Sequence, residues 1–305
     1  MQLIDQDVPG PKRDFVGYGR HVPRVLWPNN AKVALNIVVN YEEGSEYSKP
    51  AGDNRNEDLG EIAYFIGQEY RDLSVESTYE YGSRAGIWRL MRIFDDYGVS
   101  CTLFACAVAL ERNTEVAAYL RESNHDLCSH GWRWEEHWLL NRQTEKEHMR
   151  WAIESFEKTL GERPLGWYCR YGPSVRTREL VVEEGGFLYD SDAYNDDLPY
   201  FTEVGGKQHL VVPYSLTYND IQGDKSPDDF FDFARRGLDE LWREGDAGFP
   251  KMMSVGLHPR LAGQAGRASA LRQFIEYVRN KQDVWFARRL DIARWWLDHH
   301  MEFGR

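Results

Sequence analysis

The sequence predicts an α/β fold in one domain, with about seven short parallel strands that alternate with helices. Three observations predict it: short apolar runs recur along the 305 residues, helical segments lie between them, and no linker or low-complexity run divides the chain. Strands that alternate with helices are typical of βαβ units, whose strands are parallel. Hydrophobic residues make up 42% of the chain, which is enough for a large core.

The first part of the chain is expected to form an arm, a strand and a helix. Residues 1–30 contain four prolines and little periodicity, so we expect an extended arm packed over the domain. Residues 31–44 are an apolar run that ends in two carboxylates and a glycine, which predicts a buried strand. Residues 45–75 are polar and then partly helical, and we expect a long loop there beside the strand end. Apolar residues at helical spacing then predict a helix over 83–97, with a cap at Gly98.

The same alternation continues to the C-terminus. Further strands are predicted over residues 99–108, 125–134, 164–171, 187–194, 209–216, 251–259 and 284–289. The helices between and after them are predicted over residues 114–123, 144–160, 176–184, 228–244, 267–280 and 290–299.

Charge and hydropathy exclude several classes of protein. The formal net charge is −12 and no basic run offsets it, which argues against nucleic acids and anionic membranes as partners. No apolar stretch approaches the roughly 20 residues of a membrane span, and the N-terminus lacks an apolar targeting segment, so we expect a cytoplasmic protein. The four cysteines contain no Cys-x-x-Cys pair and are expected to be reduced.

Polar residues follow the predicted strands at their carboxyl ends. In a parallel barrel these ends form one rim, built from the loops that carry catalytic groups. Five consecutive strand ends with titratable or cationic groups therefore indicate a single site. These groups are Glu42 and Glu43, His130, Arg170, Asp190 and Asp192, and His258.

Plainer interpretations of these residues stay open. The paired glutamates could begin a solvated loop, and the two histidines could be structural. Arg170 and Arg260 are costly to bury, and each could form a structural salt bridge instead of binding a ligand. The aspartates of 190–197 lack the glycine and terminal glutamate of a calcium loop, which favours a polar loop.

Several catalytic motifs are missing from the sequence. It contains no Gly-x-Gly-x-x-Gly, P-loop, Gly-x-Ser-x-Gly or His-Glu-x-x-His pattern, which disfavours nucleotide cofactors, serine hydrolases and zincins. The chemistry that remains is that of carboxylates and imidazoles, which suits attack of water on a carbonyl.

Four short motifs resemble those of the polysaccharide deacetylase (NodB homology) family. They are NYEEG (40–44), SHGWRW (129–134), RYGP (170–173) and GLHP (256–259). Three longer strings are similar to the metal-independent allantoinase branch of that family, which opens the hydantoin ring of allantoin to allantoate. These are YEYGSRAGIWRL (79–90), EEGGFLYDSDAYNDDLPY (183–200) and VWFARRLDIARWW (284–296). The resemblance implies a distorted, incomplete (β/α) barrel and a homo-oligomer.

The resemblance also bears on metal binding. In the sugar deacetylases an Asp-Asp pair supplies a base and a metal ligand, and His-x-x-x-His supplies two further ligands. Here the pair is Glu42-Glu43, and Trp134 stands four residues beyond His130. Only Glu43 and His130 remain as ligands, and catalytic zinc normally has three protein ligands. The expected cofactor is therefore none, with zinc disfavoured.

These arguments predict a hydrolase of a cyclic amide carbon–nitrogen bond, with allantoin or a related hydantoin or cyclic imide as substrate. Glu42 or Glu43 would be the general base, His130 would orient the water, and Arg170 or His258 would stabilise the oxyanion. The expected substrate-binding residues are Trp132, Trp134, Tyr171, Asp192 and Arg260.

Two segments depart from the allantoinase pattern and leave the substrate open. Cys-Arg-Tyr occupies 169–171 where the pattern has Thr-Gly-Arg, and the segment after His258 also differs. The alternative functions are a metal-dependent N-deacetylase of a polysaccharide or peptidoglycan, and a non-catalytic carbohydrate-binding protein.

Overall fold

A computed structural model of the chain describes residues 10–59, 66–221 and 226–304. The strands are β1 (Val33–Tyr41), β2 (Thr102–Ala105), β3 (Asp126–Ser129), β4 (Gly166–Trp167), β5 (Tyr189–Asp190), β6 (Tyr200–Val204), β7 (Lys207–Val211), β8 (Lys251–Leu257) and β9 (Val284–Phe286). The α-helices are α1 (Leu73–Tyr81), α2 (Ile87–Tyr97), α3 (Ala107–Arg112), α4 (Thr114–Glu122), α5 (Arg142–Leu160), α6 (Thr177–Glu184), α7 (Pro227–Asp246), α8 (Ala265–Arg279) and α9 (Arg289–His299). A π-helical turn (Gly82–Gly86) joins α1 to α2.

The strands form one curled sheet in the order β6-β7-β5-β4-β3-β2-β1-β8, with β9 paired to β1. Every pairing is parallel except that between β6 and β7. Among the described residues β7 and β8 do not pair with each other, and we call the gap between them the seam. The prediction of a distorted, incomplete barrel is confirmed, with nine strands in the described part of the chain where about seven were expected.

The central strand β1 explains how one apolar run organises two packed layers. All nine of its residues are buried, as expected for a parallel strand covered on both faces. Leu35 and Val39 contribute to the apolar cluster beneath the helices, whereas Ala34 and Val38 contribute to a second cluster with residues such as Phe104. The alternation follows from the period of two along a strand.

Several predicted elements are shorter than expected or begin elsewhere. The run 99–108 is a strand only over the four residues that pair with β3, and helix α3 begins directly afterwards. The helix expected over 83–97 is the continuation of α1, which begins at Leu73. The β6–β7 hairpin was not predicted, because β6 is at most half-buried and lacks an apolar run.

Other expectations concern the arm, the cysteines and the membrane. Residues 10–30 are mostly irregular and pack on the domain through Val25 and Trp27, while residues 1–9 lie outside the described part. The four cysteines are buried and free, so the absence of a disulfide framework is confirmed. No helix among the described residues is long and apolar enough to cross a membrane.

Candidate active site

Residues that follow three different strands meet at the carboxyl edge of the sheet. Glu42 and Glu43 follow β1, His130 follows β3, and His258 and Arg260 follow β8. We call these five residues the rim cluster. All five are buried, with at most 4% of any residue exposed. Of the residues predicted at separate strand ends, the structure brings Glu42, Glu43, His130 and His258 into mutual contact.

Glu42 is the centre of the rim cluster. Its Oε1 lies 3.3 Å from Nε2 of His130 and 3.4 Å from Nε2 of His258. Its Oε2 accepts a hydrogen bond of 2.7 Å from the guanidinium of Arg260. One carboxylate therefore contacts both imidazoles and a buried cation.

Each imidazole is oriented by a second partner. Nδ1 of His130 lies 3.0 Å from the carbonyl oxygen of Tyr168, on whose ring the imidazole stacks. Nδ1 of His258 lies 2.6 Å from Oδ1 of Asp220, whose Oδ2 accepts the backbone N–H of His258. In both cases the Nε2 side of the ring is directed at Glu42.

Asp220 was not predicted, and local pairing explains its position. The segment after β7 runs alongside β8 near its carboxyl end. There the N–H of Gly256 donates to the carbonyl of Tyr218, and the N–H of Asp220 donates to the carbonyl of Gly256. This brings Asp220 beside His258, although 38 residues separate them.

Glu43 supports the cluster from the side of the π-helical turn. Its Oε1 accepts the backbone N–H of Arg260 at 3.1 Å and its Oε2 accepts the N–H of Glu42 at 3.1 Å. A Cβ at Gly82 would lie 2.4 Å from Glu43 Oε1, so the turn can cross this carboxylate only where a side chain is missing. π-Helical turns of this kind often occur at functional sites.

Charges within the cluster separate the pKa values of its members. Burial would raise the pKa of Glu42, but Arg260 and His258 outweigh it and hold that pKa well below its usual value. Burial raises the pKa of Glu43 to about 7, and the charge of Glu42 adds to the rise while Arg260 opposes it. For His258 burial acts downward, yet Glu42 and Asp220 raise the pKa to about 10. The cluster thus pairs an ionised Glu42 with a protonated His258 at neutral pH.

The residues present do not fit the metal of the sugar deacetylases. The Trp134 indole has no lone pair for a metal, and it is buried with the Arg260 Cζ 5.3 Å from its ring centroid. The Arg260 guanidinium already lies 2.7 Å from Glu42 and 3.7 Å from Glu43. No group of three or more His, Cys, Asp or Glu side chains in the described ranges could hold a metal ion. Since catalytic zinc normally has three protein ligands, this donor set is unsuitable.

Arg170 does not take the place expected for an oxyanion-stabilising group. Its two terminal nitrogens donate to Glu57 at 2.8 and 2.7 Å, and one also donates to the Trp134 carbonyl. The guanidinium is therefore occupied by a carboxylate from the loop after β1. The salt-bridge interpretation of Arg170 is the one that fits, and Glu57 is a partner that sequence reasoning missed.

The remaining predicted residues lie around the cluster at different distances. Tyr171 is 41% exposed and contacts Trp134 edge-on, with ring centroids 6.4 Å apart. Asp192 accepts the backbone N–H of Cys169, which is a structural contact. Trp132, expected to bind substrate, packs instead on His148 and Trp151 of the helical layer.

Asp190 is placed away from the rim cluster as well. Its carboxylate is bonded to Arg178 and to His209 of the neighbouring strand β7. Arg178 and His209 are therefore structural partners that compensate the buried charge of Asp190.

Comparisons with known proteins agree with this architecture. The sequence profile described as polysaccharide deacetylase matches residues 67–189. A Schizosaccharomyces pombe protein provisionally named a polysaccharide deacetylase is 36% identical over 313 residues, covering 94% of this chain and 98% of that protein.

Two solved structures are similar over nearly the whole chain. One is a provisionally named polysaccharide deacetylase from Pseudomonas aeruginosa, with 45% identity, a TM-score of 0.90, and coverage of 95% of this chain and 99% of that one. The other is PuuE allantoinase, with 45% identity, a TM-score of 0.91, and coverage of 95% and 98%. The extent of these matches, together with the curled parallel sheet and its strand-end motifs, establishes that the chain belongs to the polysaccharide deacetylase family.

Proposed function

We propose that this protein hydrolyses the carbon–nitrogen bond of a small cyclic amide without a metal ion, with allantoin as the first candidate and other hydantoins and cyclic imides next. The observation that carries the proposal is the pairing of Glu42 with Arg260 beside Trp134, where the sugar deacetylases are expected to hold a metal. The 45% identity to PuuE allantoinase supports the same assignment.

In the proposed reaction Glu42 is the general base, because it is the carboxylate in contact with both imidazoles. It accepts a proton from water as the water oxygen bonds to the ring carbonyl carbon. His130, whose Nε2 faces the same carboxylate oxygen, orients that water. Arg260 keeps Glu42 ionised before the proton is transferred.

His258 provides the acid for the second half of the reaction. Its imidazolium stabilises the oxyanion and then donates its Nε2 proton to the ring nitrogen as the carbon–nitrogen bond breaks. The proton held by Glu42 then returns to His258 across the 3.4 Å that separates their atoms. The products are the ring-opened amide or urea nitrogen and a carboxylic acid, which releases its proton to solvent as the carboxylate forms, and both residues regain their starting states.

The test is turnover by protein dialysed against a chelator, with allantoin, hydantoin and succinimide as substrates. Ring opening that persists with the chelator supports the proposal. The competing function is metal-dependent N-deacetylation, which the names of two relatives favour. Acetate release from chitin oligomers that requires added zinc or cobalt, with no ring opening, would establish it instead, and binding without turnover would indicate a non-catalytic protein.

A further inference from the structure

An ion pair outside the rim cluster is as deeply buried as the cluster itself. The side chains of Glu57 and Arg170 are 1% and 2% exposed, and they form a bidentate contact. Burying two charges costs several kcal/mol for each ion, so such a pair contributes little net stability over apolar side chains. A role other than stability is therefore a reasonable hypothesis for this pair.

The pair joins three loops at the rim. Glu57 lies in the segment after β1, Arg170 follows β4, and Trp134 lies in the loop after β3. The Arg170 Cζ lies 3.8 Å from the centroid of the Trp134 ring, and its guanidinium also donates to the Trp134 carbonyl at 3.1 Å. The N–H of Trp134 donates to the carbonyl of Ser45. The indole is thus held from both its side chain and its backbone.

Two other ion pairs, both more exposed than Glu57–Arg170, also connect these loops. Arg133 bonds Asp53 with 15% and 14% of the side chains exposed, and Arg55 bonds Glu136 with 31% and 9% exposed. Exposed pairs contribute roughly 0–1 kcal/mol. Removing one partner of a fully buried pair leaves an uncompensated charge in the interior, so breaking Glu57–Arg170 should disturb the segment 45–59 more than breaking either of the other two pairs.

Access to the rim cluster is restricted by Trp134 and by the loops that hold it. Trp134 is 2% exposed and contacts Arg260, while Glu42 is 1% exposed. We therefore expect a neighbouring loop to shift when a substrate reaches Glu42. The size of the space that then opens determines which amides can be accepted.

We propose that the Glu57–Arg170 pair is a specificity latch: it holds the segment 45–59 and the Trp134 indole against the rim cluster, so that the site admits a small flat ring and excludes bulky or extended amides. This inference rests on the proposed function for the identity of the ring. Glu57 and Arg170 act through Trp134 and are positioning residues. Neither takes part in the transfer of protons.

The variants are chosen so that the protein stays folded. Arg170→Lys keeps the charge but loses the planar bidentate fork. The double variant Glu57→Gln with Arg170→Met leaves no unpaired charge in the interior. Arg55→Gln is the matched control, because it breaks a more exposed ion pair of the same segment.

The first measurement is hydrogen exchange of peptides covering 45–59 and 130–136, which needs no substrate. We expect exchange at least about tenfold faster in the double variant, a smaller increase in Arg170→Lys, and little change in the control. Exchange in the double variant that equals that of the control would overturn the latch.

The second measurement compares hydantoin with a hydantoin that carries a bulky 5-substituent. Opening the latch should raise KM for the small ring about tenfold with a smaller change in kcat, and should increase the relative kcat/KM for the bulky substrate. An equal loss of kcat for both, accompanied by lower thermal stability, would show that the pair is merely structural. If the wild-type protein opens no cyclic amide, the proposed function fails, and the exchange measurement still decides whether the latch exists.

Discussion

Two fully buried arginines, Arg260 at the rim and Arg289 at the seam, show how the same side chain serves different purposes in two regions of the molecule. Arg260 lies 2.7 Å from Glu42 and contacts Tyr79 and Trp134 through their ring faces. Arg289 meets neutral groups, namely Ser191, Ser254, Asn36 and the carbonyls of Val212 and Pro213. No carboxylate in the described ranges lies within ion-pair distance of Arg289.

The difference follows from what each region lacks. At the seam the carbonyls of Val212 and Pro213, which follow β7, and the hydroxyl of Ser254 in β8 are buried, and the Arg289 guanidinium donates to all three. Burial lowers the pKa of Arg289, and its described hydrogen-bond partners are all neutral groups. At the rim the Arg260 guanidinium lies beside the carboxylates of Glu42 and Glu43, and the His258 imidazolium is also in contact with Glu42. Burial alone therefore does not identify a functional charge, whereas the combination with titratable partners does.

The largest expected effect is at the rim, from Glu42→Gln. If this carboxylate accepts the proton of water, kcat should fall about 10²–10⁴-fold, the usual range for a general base. Glu43→Gln is the matched control, because the hydrogen bonds that Glu43 accepts from the described residues come from backbone N–H groups, and its Oε1 lies 3.7 Å from the Arg260 guanidinium. Steady-state turnover of the best cyclic amide measures both. A larger loss of kcat for Glu43→Gln than for Glu42→Gln would assign the role of general base to Glu43.

At the seam the expected effect is on stability. Arg289→Met leaves several buried acceptors without donors and should reduce the free energy of unfolding by about 3–5 kcal/mol. Arg288→Met is the neighbouring control, since Arg288 pairs with Asp291 with 30% of each side chain exposed and should cost less than about 1 kcal/mol. Urea titration provides both values. Loss of kcat in folded Arg289→Met with unchanged stability would contradict the assignment of Arg289 to stability and of the rim cluster to catalysis.

His130→Ala tests whether the rim histidines act in the reaction or in packing. Because Nε2 of His130 faces Glu42, we expect kcat to fall roughly a hundredfold with the fold retained. His148→Ala is the control, since His148 pairs with Glu135 away from the rim cluster. Unchanged turnover together with lower thermal stability would assign His130 to the stacking contact with Tyr168 alone.

The strand ends at the rim were predictable because each follows an apolar run. The pattern of β1 identified Glu42 and Glu43, and those of β3 and β8 identified His130 and His258. The boundaries were less accurate, since a strand extends only as far as its neighbour can pair with it. Strand β5, expected over eight residues, pairs over two.

The partners of these residues were not predictable from local patterns. Asp220 meets His258 from a segment 38 residues away, and Glu57 meets Arg170 across 113 residues. Both lie in polar loops that have no periodicity, well beyond the end of the strand that precedes them. Such pairs depend on how the sheet curls, which one sequence does not reveal.

Trp134→His tests whether the Arg260 guanidinium occupies the position that a metal ion would take. The sequence alone suggests that this change restores a metal ligand, but Arg260 keeps its guanidinium beside both carboxylates. We therefore expect Trp134→His with Arg260→Gln to bind zinc at least about tenfold more tightly than either single variant, with turnover of cyclic amides reduced. Zinc titration with a competing chelator measures this. Tight zinc binding by Trp134→His alone would show that Arg260 does not occupy the position of the metal.

The smallest effect is a dependence of stability on pH that the rim should show and the seam should not. The pKa of His258 is about 10 in the folded protein and 6.5 is its ordinary value, so its stabilising contribution is complete below pH 6.5 and is lost as the pH rises through 10. Glu43, with its pKa raised to about 7, contributes in the same direction, but mainly between pH 4.5 and 7. Burial raises the pKa values of the four cysteines well above 9.0, so they also lower the stability between pH 7.5 and 9.5, but equally in wild type and in His258→Gln. The difference between these two proteins in that window therefore isolates His258. There the free energy of unfolding of the wild-type protein should fall by about 1.4 kcal/mol per pH unit more steeply than that of His258→Gln, because one extra proton is bound in the folded state.

Arg289→Met should keep the wild-type slope, since Arg289 has no carboxylate or imidazole among its described hydrogen-bond partners. If wild type and His258→Gln have parallel slopes, His258 is neutral in the folded protein and cannot donate the proton that the proposed reaction requires of it.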